Sequence, residues 1–170
     1  MGIEIRAMEE QDIPETIRVM KEAWVHSYES IEERYYPREA HDFDMSLNTV
    51  ERYTGSMEYE YGFFFIAEVD GKIAGSIRGE IIGKSGFGMI RNIAVHPNYL
   101  RKGTGRALME HAVDYLKAEG CHKVSLNTMP VLLPAINLYL KMGFVPEAYL
   151  AKQWWGVDFI YMSLWFDKIG

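Results

Sequence analysis

The sequence predicts a mixed α/β fold in which helices flank one central sheet. Three observations lead to this prediction: strands outnumber helices, an Asp70-Gly71 pair marks a hairpin between two strands, and other strands are separated by helices. A doubly wound sheet would instead alternate strands and helices along the chain. Because the 170 residues contain no repeat and no Pro/Gly/Ser-rich linker, we expect a single domain spanning residues 1–170.

The N-terminal half is predicted to hold one clear helix and three strands. Residues 3–6 alternate between apolar and charged side chains, which is typical of a short strand. Apolar spacing predicts a helix over residues 12–25, and residues 28–58, rich in acids and aromatics, are predicted to form one or two irregular helices. The hairpin then joins strands 61–69 and 72–82.

The C-terminal half is predicted to hold the clearest helix of the chain. It spans residues 103–119, and Gly120 stands where a left-handed helix end is expected. A second helix, residues 134–142, ends in the same way at Gly143. The strands of this half are predicted at residues 89–95, 123–128, 144–150 and 157–164.

Composition excludes several classes of protein. A net charge of −6 argues against a nucleic-acid partner, and no apolar run is long enough for a membrane helix. The lone Cys121 excludes a disulfide scaffold, and the charged N-terminus lacks a signal-peptide core. We therefore expect a cytoplasmic protein. Residues 1–85 carry 18 acidic against 9 basic side chains, which indicates either a solvated acidic surface or a face suited to a cation.

A basic, glycine-bearing loop between a buried strand and an amphipathic helix is the most informative segment. Glycines allow backbone N–H groups to approach a ligand, and the start of a helix favours phosphate. The spacing matches neither a dinucleotide-binding loop, which would need a third glycine at Leu108, nor a triphosphate loop. An ordinary strand-to-helix turn is the alternative interpretation. The loop residues are Arg101, Lys102, Gly103, Thr104, Gly105 and Arg106.

Two motifs resemble those of the GNAT superfamily, the acyl-CoA-dependent N-acyltransferases. Residues 100–105, Leu-Arg-Lys-Gly-Thr-Gly, resemble its pyrophosphate loop, Gln/Arg-x-x-Gly-x-Gly/Ala. Residues 135–144, Ala-Ile-Asn-Leu-Tyr-Leu-Lys-Met-Gly-Phe, are similar to its A-I-x-L-Y-x-K-x-G-F segment. Residues 156–164 also resemble the last strand of the family, and the predicted order of elements agrees from Ile3 to Leu164.

The resemblance implies the fold, the cosubstrate and most of the site. The fold would be a largely antiparallel central sheet of about seven strands with flanking helices. The cosubstrate would be acetyl-CoA, with its pantetheine along the strand that ends at Val95 and its pyrophosphate on the loop. The residues expected to bind it are Ile93, Ala94, Val95, Arg101, Lys102, Gly103, Thr104, Gly105, Arg106 and Asn137.

Three positions depart from the family pattern. Leu100 takes the place of the usual Gln or Arg of the loop, so a side-chain contact is lost while the backbone N–H remains. Leu132 replaces an asparagine that is common seven residues before the tyrosine. Asn127 stands where ribosomal-protein N-terminal acetyltransferases, which the chain also resembles, have a glutamate as general base. Asn127 has no basic group to accept a proton.

Transfer of an acetyl group to an amine needs a base for the amine and an acid for the departing thiolate. The resemblance assigns the acid to Tyr139, whose alternative is a core aromatic. Glu80, toward the end of a strand beside residues 89–95, is the candidate base, although its position is more typical of a solvated hairpin acid. His96 precedes Pro97 and is more typical of a turn residue. No histidine spacing indicates a metal site, so we expect no metal.

The acceptor is expected to be a primary amine, either a small cation such as a polyamine or a peptide amine. Aromatic side chains interleaved with acids would suit a cation, whereas packing of the aromatics on the sheet is the alternative. The residues expected to contact the acceptor are Trp24, Tyr28, Glu29, Asn127 and Trp154.

Two other functions compete with this enzyme. A non-catalytic CoA-binding sensor or regulatory module would share the loop without needing Tyr139. A hydrolase using Ser85 or Cys121 as nucleophile is disfavoured because neither lies in a triad-like sequence setting. The sequence gives no indication of an oligomeric state.

Overall fold

A computed structural model describes residues 2–166 and contains a seven-stranded sheet. The strands lie in the order β1-β2-β3-β4-β5-β7-β6, which confirms the predicted mixed, largely antiparallel sheet with flanking helices. Their bounds are β1 Ile3–Ala7, β2 Gly62–Val69, β3 Lys72–Ile81, β4 Phe87–Val95, β5 Lys123–Thr128, β6 Val145–Trp154 and β7 Val157–Trp165.

The pairing of β4 with β5 is parallel, and the other five pairings are antiparallel. This parallel pairing is short, since it joins Phe87 to Lys123, Gly88 to Val124 and Met89 to Ser125. Beyond these pairs β4 continues along β3 as far as Val95, and β5 continues along β7 as far as Thr128. The two central strands therefore separate and leave an opening in the sheet.

Helices cover both faces of the sheet. Helices α1 and α3 pack on one face, with Val19 and Met20 of α1 and Tyr53 of α3 in a core that includes Phe64 and Ile66 of β2. Helices α4 and α5 pack on the other face in a larger core. The bounds are α1 Ile13–Ser27, α2 Arg38–Ser46, α3 Val50–Glu58, α4 Thr104–Ala118 and α5 Leu133–Lys141.

Glycines end both helices of the larger core, as the sequence predicts. At the end of α4, Gly120 has φ +82° and the N–H of Cys121 donates to the carbonyl of Leu116. At the end of α5, Gly143 has φ +93° and the N–H of Phe144 donates to the carbonyl of Tyr139. Both are Schellman motifs, in which a left-handed residue turns the chain and satisfies the last carbonyls.

The structure differs from the expected boundaries in the last hairpin and after α1. Strand β6 extends to Trp154 because a two-residue turn with positive φ at Trp155 and Gly156 joins it to β7. The Asp70-Gly71 turn has the same pair of positive φ angles, but Trp-Gly is a weak turn signal. Helix α1 continues into a π-helical turn, Tyr28–Glu32, before α2 begins. No helix in the described part of the chain is long and apolar enough to cross a membrane.

Candidate active site

The opening between β4 and β5 is the centre of the candidate site. Asn92 of β4 and Asn127 of β5 lie beyond the last pair of the parallel ladder, on opposite walls of the opening. The Oδ1 atom of each is buried and accepts no hydrogen bond from residues 2–166. A buried polar atom without a partner is costly and uncommon, so both atoms indicate a place where a ligand or water completes the structure.

The loop after β4 presents a row of free backbone donors. A short 3₁₀ turn, Pro97–Tyr99, follows the strand, and Arg101 and Gly103 then take φ angles of 58° and 89°. The backbone N–H groups of residues 101–106 donate no hydrogen bond to any group within residues 2–166. These six consecutive N–H groups, three before α4 and three in its first turn, form a concentration of positive partial charge, which is suited to a phosphate or pyrophosphate.

The basic side chains of the loop differ in whether they already have a partner within the protein. Lys102 folds back, because its Nζ atom donates to the carbonyl of Asn98 at 2.8 Å. Arg106 pairs with Glu110 one turn later, at 3.2 Å between exposed side chains. Arg101 is exposed and has no ion-pair partner within the described residues. Arg101 is therefore the side chain most available to an anionic ligand.

His96 holds the base of the loop in place. Its Nδ1 atom accepts a hydrogen bond from the N–H of Asn98, and its Nε2 atom lies 2.6 Å from a carboxylate oxygen of Glu22 on α1. An Nδ1 atom that accepts a hydrogen bond must be unprotonated. The Nε2 atom therefore carries the ring proton and donates a hydrogen bond to the Glu22 carboxylate. His96 thus connects α1 with the start of the loop.

Tyr139 lies on α5 and belongs to the larger core. It is almost fully buried, its hydroxyl donates no hydrogen bond to residues 2–166, and burial raises its pKa to about 12. The Schellman motif at Gly143 positions it, since the N–H of Phe144 bonds its carbonyl and the Phe144 ring lies 6.1 Å from its own. A protonated hydroxyl without a partner in the protein can donate to a ligand.

The other residues predicted to bind acetyl-CoA lie on β4, α4 and α5. Ile93 and Val95 are partly buried against the larger core, and Ala94 faces the α1 side. A side chain added at Gly105 would contact Val95 at 3.5 Å and Leu138 of α5 at 3.8 Å. Gly105 therefore lies where the start of α4 meets the end of β4 and α5. Thr104 is buried with its hydroxyl unpaired, and Asn137 is exposed on α5.

Glu80, the predicted base, is engaged with a neighbouring strand. Its carboxylate accepts from Nε of Arg91 at 2.5 Å. The pair lies on the α3 side of the sheet, at the end of β3 and beside the bulge at Arg91 in β4. Glu80 therefore lies one strand away from the opening, and its carboxylate is already paired with the Arg91 guanidinium.

The residues predicted to contact the acceptor lie in three different settings. Trp24 is partly buried against the smaller core on the α1 side. Tyr28 is buried. Its ring stacks on the His41 ring, with 4.2 Å between the centroids, and the Arg38 guanidinium lies over the Tyr28 ring. The Tyr28 ring is therefore already covered by these two side chains. Glu29 is exposed, and Trp154 is exposed near Phe159 on the last hairpin.

Glu32 is a carboxylate whose environment the sequence does not reveal. It lies in the π-helical turn, accepts from the hydroxyl of Ser27 at 2.5 Å, and has its pKa raised by burial and by Asp44. The turn packs near the end of β5, since Tyr28 shares a core with Met129. In the sequence, the only sign that Glu32 is functional is its position among aromatic residues, and that pattern is also typical of many surface helices.

Cys121 is buried and burial raises the pKa of its thiol, which disfavours the reactive thiolate. Among residues 2–166, no group of three or more His, Cys, Asp or Glu side chains is placed to hold a metal ion.

The raised pKa of Glu32 predicts a pH-dependent stability difference. The folded protein keeps the Glu32 proton to a higher pH than the unfolded chain, so its contribution to stability falls as pH rises through that window. Glu32→Gln removes this titration, and its amide oxygen can still accept from Ser27. The melting temperature of Glu32→Gln relative to wild type should therefore be higher at about pH 8 than at about pH 4.

The matched control is Glu33→Gln, which removes one carboxylate from an exposed position of the same segment. An identical melting-temperature difference for Glu32→Gln at both pH values would contradict the assigned burial effect.

Comparison with known proteins places these features in one family. The sequence model of the Acetyltransferase (GNAT) family matches residues 19–144. The [ribosomal protein bS18]-alanine N-acetyltransferase of Escherichia coli strain K12 is 45% identical over 53 residues, 31% of this chain and 36% of that protein. The aligned part of the chain thus spans about a third of the curated relative.

Two solved structures share the fold. PaiA N-acetyltransferase from Thermoplasma acidophilum, in complex with coenzyme A, has a TM-score of 0.81 at 24% identity, with 98% of this chain and 100% of that chain covered. The ribosomal-protein-S18-alanine N-acetyltransferase from Escherichia coli has a TM-score of 0.76 at 23% identity, covering 99% and 97%. Because the family model spans most of the chain, including the loop and all of α5, the protein belongs to the GNAT acetyltransferase family.

Proposed function

We propose that the protein transfers an acetyl group from acetyl-CoA to a primary amine. The observation that carries this proposal is the opening between β4 and β5, which leads to a loop with six free backbone N–H groups. Acetyl-CoA contains a pyrophosphate, which such a loop can bind, and a pantetheine arm, which can form hydrogen bonds with the unpaired edge of β4.

The residues present fit this cosubstrate along its length. Arg101 and the N–H groups of residues 101–106 would hold the pyrophosphate by charge-assisted hydrogen bonds. Beyond Met89 the edge of β4 that faces β5 has no strand partner, so it offers backbone groups to the two amides of pantetheine. When bound, acetyl-CoA supplies an acetyl group that is activated as a thioester.

The chain itself contributes polarisation and proton transfer. We place a backbone N–H at about Val95 against the thioester carbonyl, where it stabilises developing negative charge. Tyr139 is proposed as the acid that protonates the departing sulfur. With its pKa raised to about 12, its hydroxyl is protonated at neutral pH, whereas a free thiol has a pKa of about 8.5.

The amine must lose a proton before or during its attack, and two carboxylates are candidates for this role. Glu80 would have to release Arg91, which it binds at 2.5 Å. Glu32 has a raised pKa, which is the property that general bases of this type share, and its turn packs near the end of β5. We propose that proton removal proceeds through Glu32 or a water beside it, with Glu80 as the alternative.

The acceptor is proposed to be a primary amine of a small molecule or of a peptide. The similarity to a ribosomal-protein-alanine N-acetyltransferase supports a peptide amine, although the shared segment is short. The acidic N-terminal half supports a cationic amine such as a polyamine. Release of CoA from acetyl-CoA, measured over amines of both kinds, tests the activity. Tight binding of acetyl-CoA without any turnover would instead support the sensor.

Replacing Tyr139 by phenylalanine should reduce turnover by about 100-fold or more while leaving acetyl-CoA affinity nearly unchanged, because only the proton donor is removed. The fold should be kept, since the Tyr139 hydroxyl has no hydrogen bond to the described protein. Steady-state kinetics and calorimetric titration measure the two quantities. Tyr115→Phe on α4 is the control, and a Tyr139→Phe rate within about twofold of wild type would exclude the assigned role.

Replacing Gly103 by alanine should weaken acetyl-CoA binding by about 5- to 30-fold. A left-handed non-glycine residue costs roughly 1–2 kcal/mol, and the loop relieves this strain by leaving the binding conformation. Gly71→Ala imposes the same kind of strain at φ +72° in the distant β2–β3 turn. This control should lower the melting temperature but keep the dissociation constant, and equal affinities for all three proteins would contradict the role of the loop.

A further inference from the structure

A cavity on the α3 side of the sheet contains an excess of arginine. It has a volume of about 420 Å³ and lies between α3 and the ends of β3 and β4. Three arginines line it, Arg52 from α3, Arg78 from β3 and Arg91 from β4, against one carboxylate, Glu80. No property of acetyl-CoA binding requires these residues, because the cavity is on the opposite side of the sheet from α4 and α5.

The positive charge of this cavity is only partly neutralised. Glu80 is paired with Arg91, and no carboxylate within residues 2–166 forms an ion pair with Arg52 or Arg78. Arg78 is partly buried, and its pKa is lowered first by burial and then by Arg52. A guanidinium nevertheless stays protonated in proteins, so a partly buried cation without a counter-ion lines the cavity.

The cavity is one strand away from the candidate site. Arg78 of β3 is the register partner of Asn92 on β4, and directly opposed residues of an antiparallel pair point to the same face. Asn92 in turn forms a wall of the β4–β5 opening, with its Oδ1 atom unpaired. Neighbouring strands lie about 4.8 Å apart, so the cavity and the opening are separated by roughly 5–10 Å.

The same face is the one from which an acceptor would approach. Tyr139 belongs to the core on the α4 and α5 side, so the departing sulfur would lie toward that side of the opening. An attacking amine approaches from the other side, which is the face of α1 and α3. Phe64, the partner of Arg78 on β2, packs on Tyr53 of α3 and confirms that Arg78 points to this face.

We propose that the acceptor is a primary amine that carries a carboxylate or phosphate group, which Arg78 and Arg52 bind while the amine lies at the β4–β5 opening. This inference rests on the proposed function and specifies its substrate class. Glu80 then serves to hold Arg91 at the edge of the cavity. A polyamine would place a second cation beside uncompensated arginines, whereas an oxyanion would satisfy their planar donors.

The test compares amines that differ in the charge and distance of their far end. The probes are ω-amino acids with two to five methylene groups, aminoalkyl phosphates of the same lengths, and diamines as cationic counterparts. Two dipeptide amides, Ala-Asp and Ala-Lys, distinguish a peptide source of the anion from a small molecule. Both acetylation rates and direct binding by calorimetry are measured, in the presence of acetyl-CoA and without it.

We expect anionic amines of one length to exceed the matched diamine in kcat/KM by about 10- to 100-fold, the range for a charge-assisted contact. Arg52→Gln, at an exposed position, should remove most of this preference and weaken binding of the anionic probe. Arg78→Met should do so more strongly. Lys72→Gln, at the β2–β3 turn, removes one exposed cation elsewhere and should change neither quantity.

The outcomes separate this inference from the proposed function. The anion site is contradicted if diamines are acetylated as fast as anionic amines or faster. It is also contradicted if the preference for anionic amines remains in Arg52→Gln and Arg78→Met. Neither result contradicts the proposed acetyltransferase activity. Binding of anionic amines that depends on both arginines, without acetylation of any probe, supports the anion site and contradicts the enzyme. If Arg78→Met fails to fold, Arg52→Gln decides the result alone.

Discussion

The separation of β4 from β5 is the constraint on which the rest of the site depends. These strands form the sheet's parallel pair, and their ladder ends after Met89 and Ser125. Each strand keeps its other neighbour, so the sheet remains continuous at its base while it opens toward Val95 and Thr128. Backbone groups that a closed sheet would pair internally are thereby available to a ligand.

The opening gives the two faces of the sheet different chemistry. On the α4 and α5 side, Gly103 turns the chain with a positive φ angle into α4, and Gly105 lies beside Val95 of β4 and Leu138 of α5. On the α3 side lies the Arg78 cavity, which we propose as an anion site for the acceptor. Glu32, proposed to take the amine proton, lies in the π-helical turn that follows α1. In the proposed reaction the cosubstrate and the acceptor meet at the opening from these two faces.

Local signals explain why much of the fold was predictable. Asp70-Gly71, Gly120 and Gly143 each mark a positive φ angle that the structure contains, and each lies at the predicted turn or helix end. The turn at Trp155 was missed because tryptophan carries no turn signal, and β6 is accordingly longer than predicted.

The arginine cavity combines residues from three elements far apart in sequence, and no local pattern contains that information. The burial of Glu32 likewise depends on tertiary packing, which short-range periodicity does not encode.

The central claim is that acetyl-CoA occupies the β4–β5 opening and the loop that follows it. Amide hydrogen exchange, measured with and without acetyl-CoA, tests this claim most directly. We predict increased protection of residues 90–95 and 101–106, because their free N–H groups gain partners, and little change in the distant β2–β3 turn. Saturating acetyl-CoA that leaves both segments unprotected, or that protects only another region, would contradict the account.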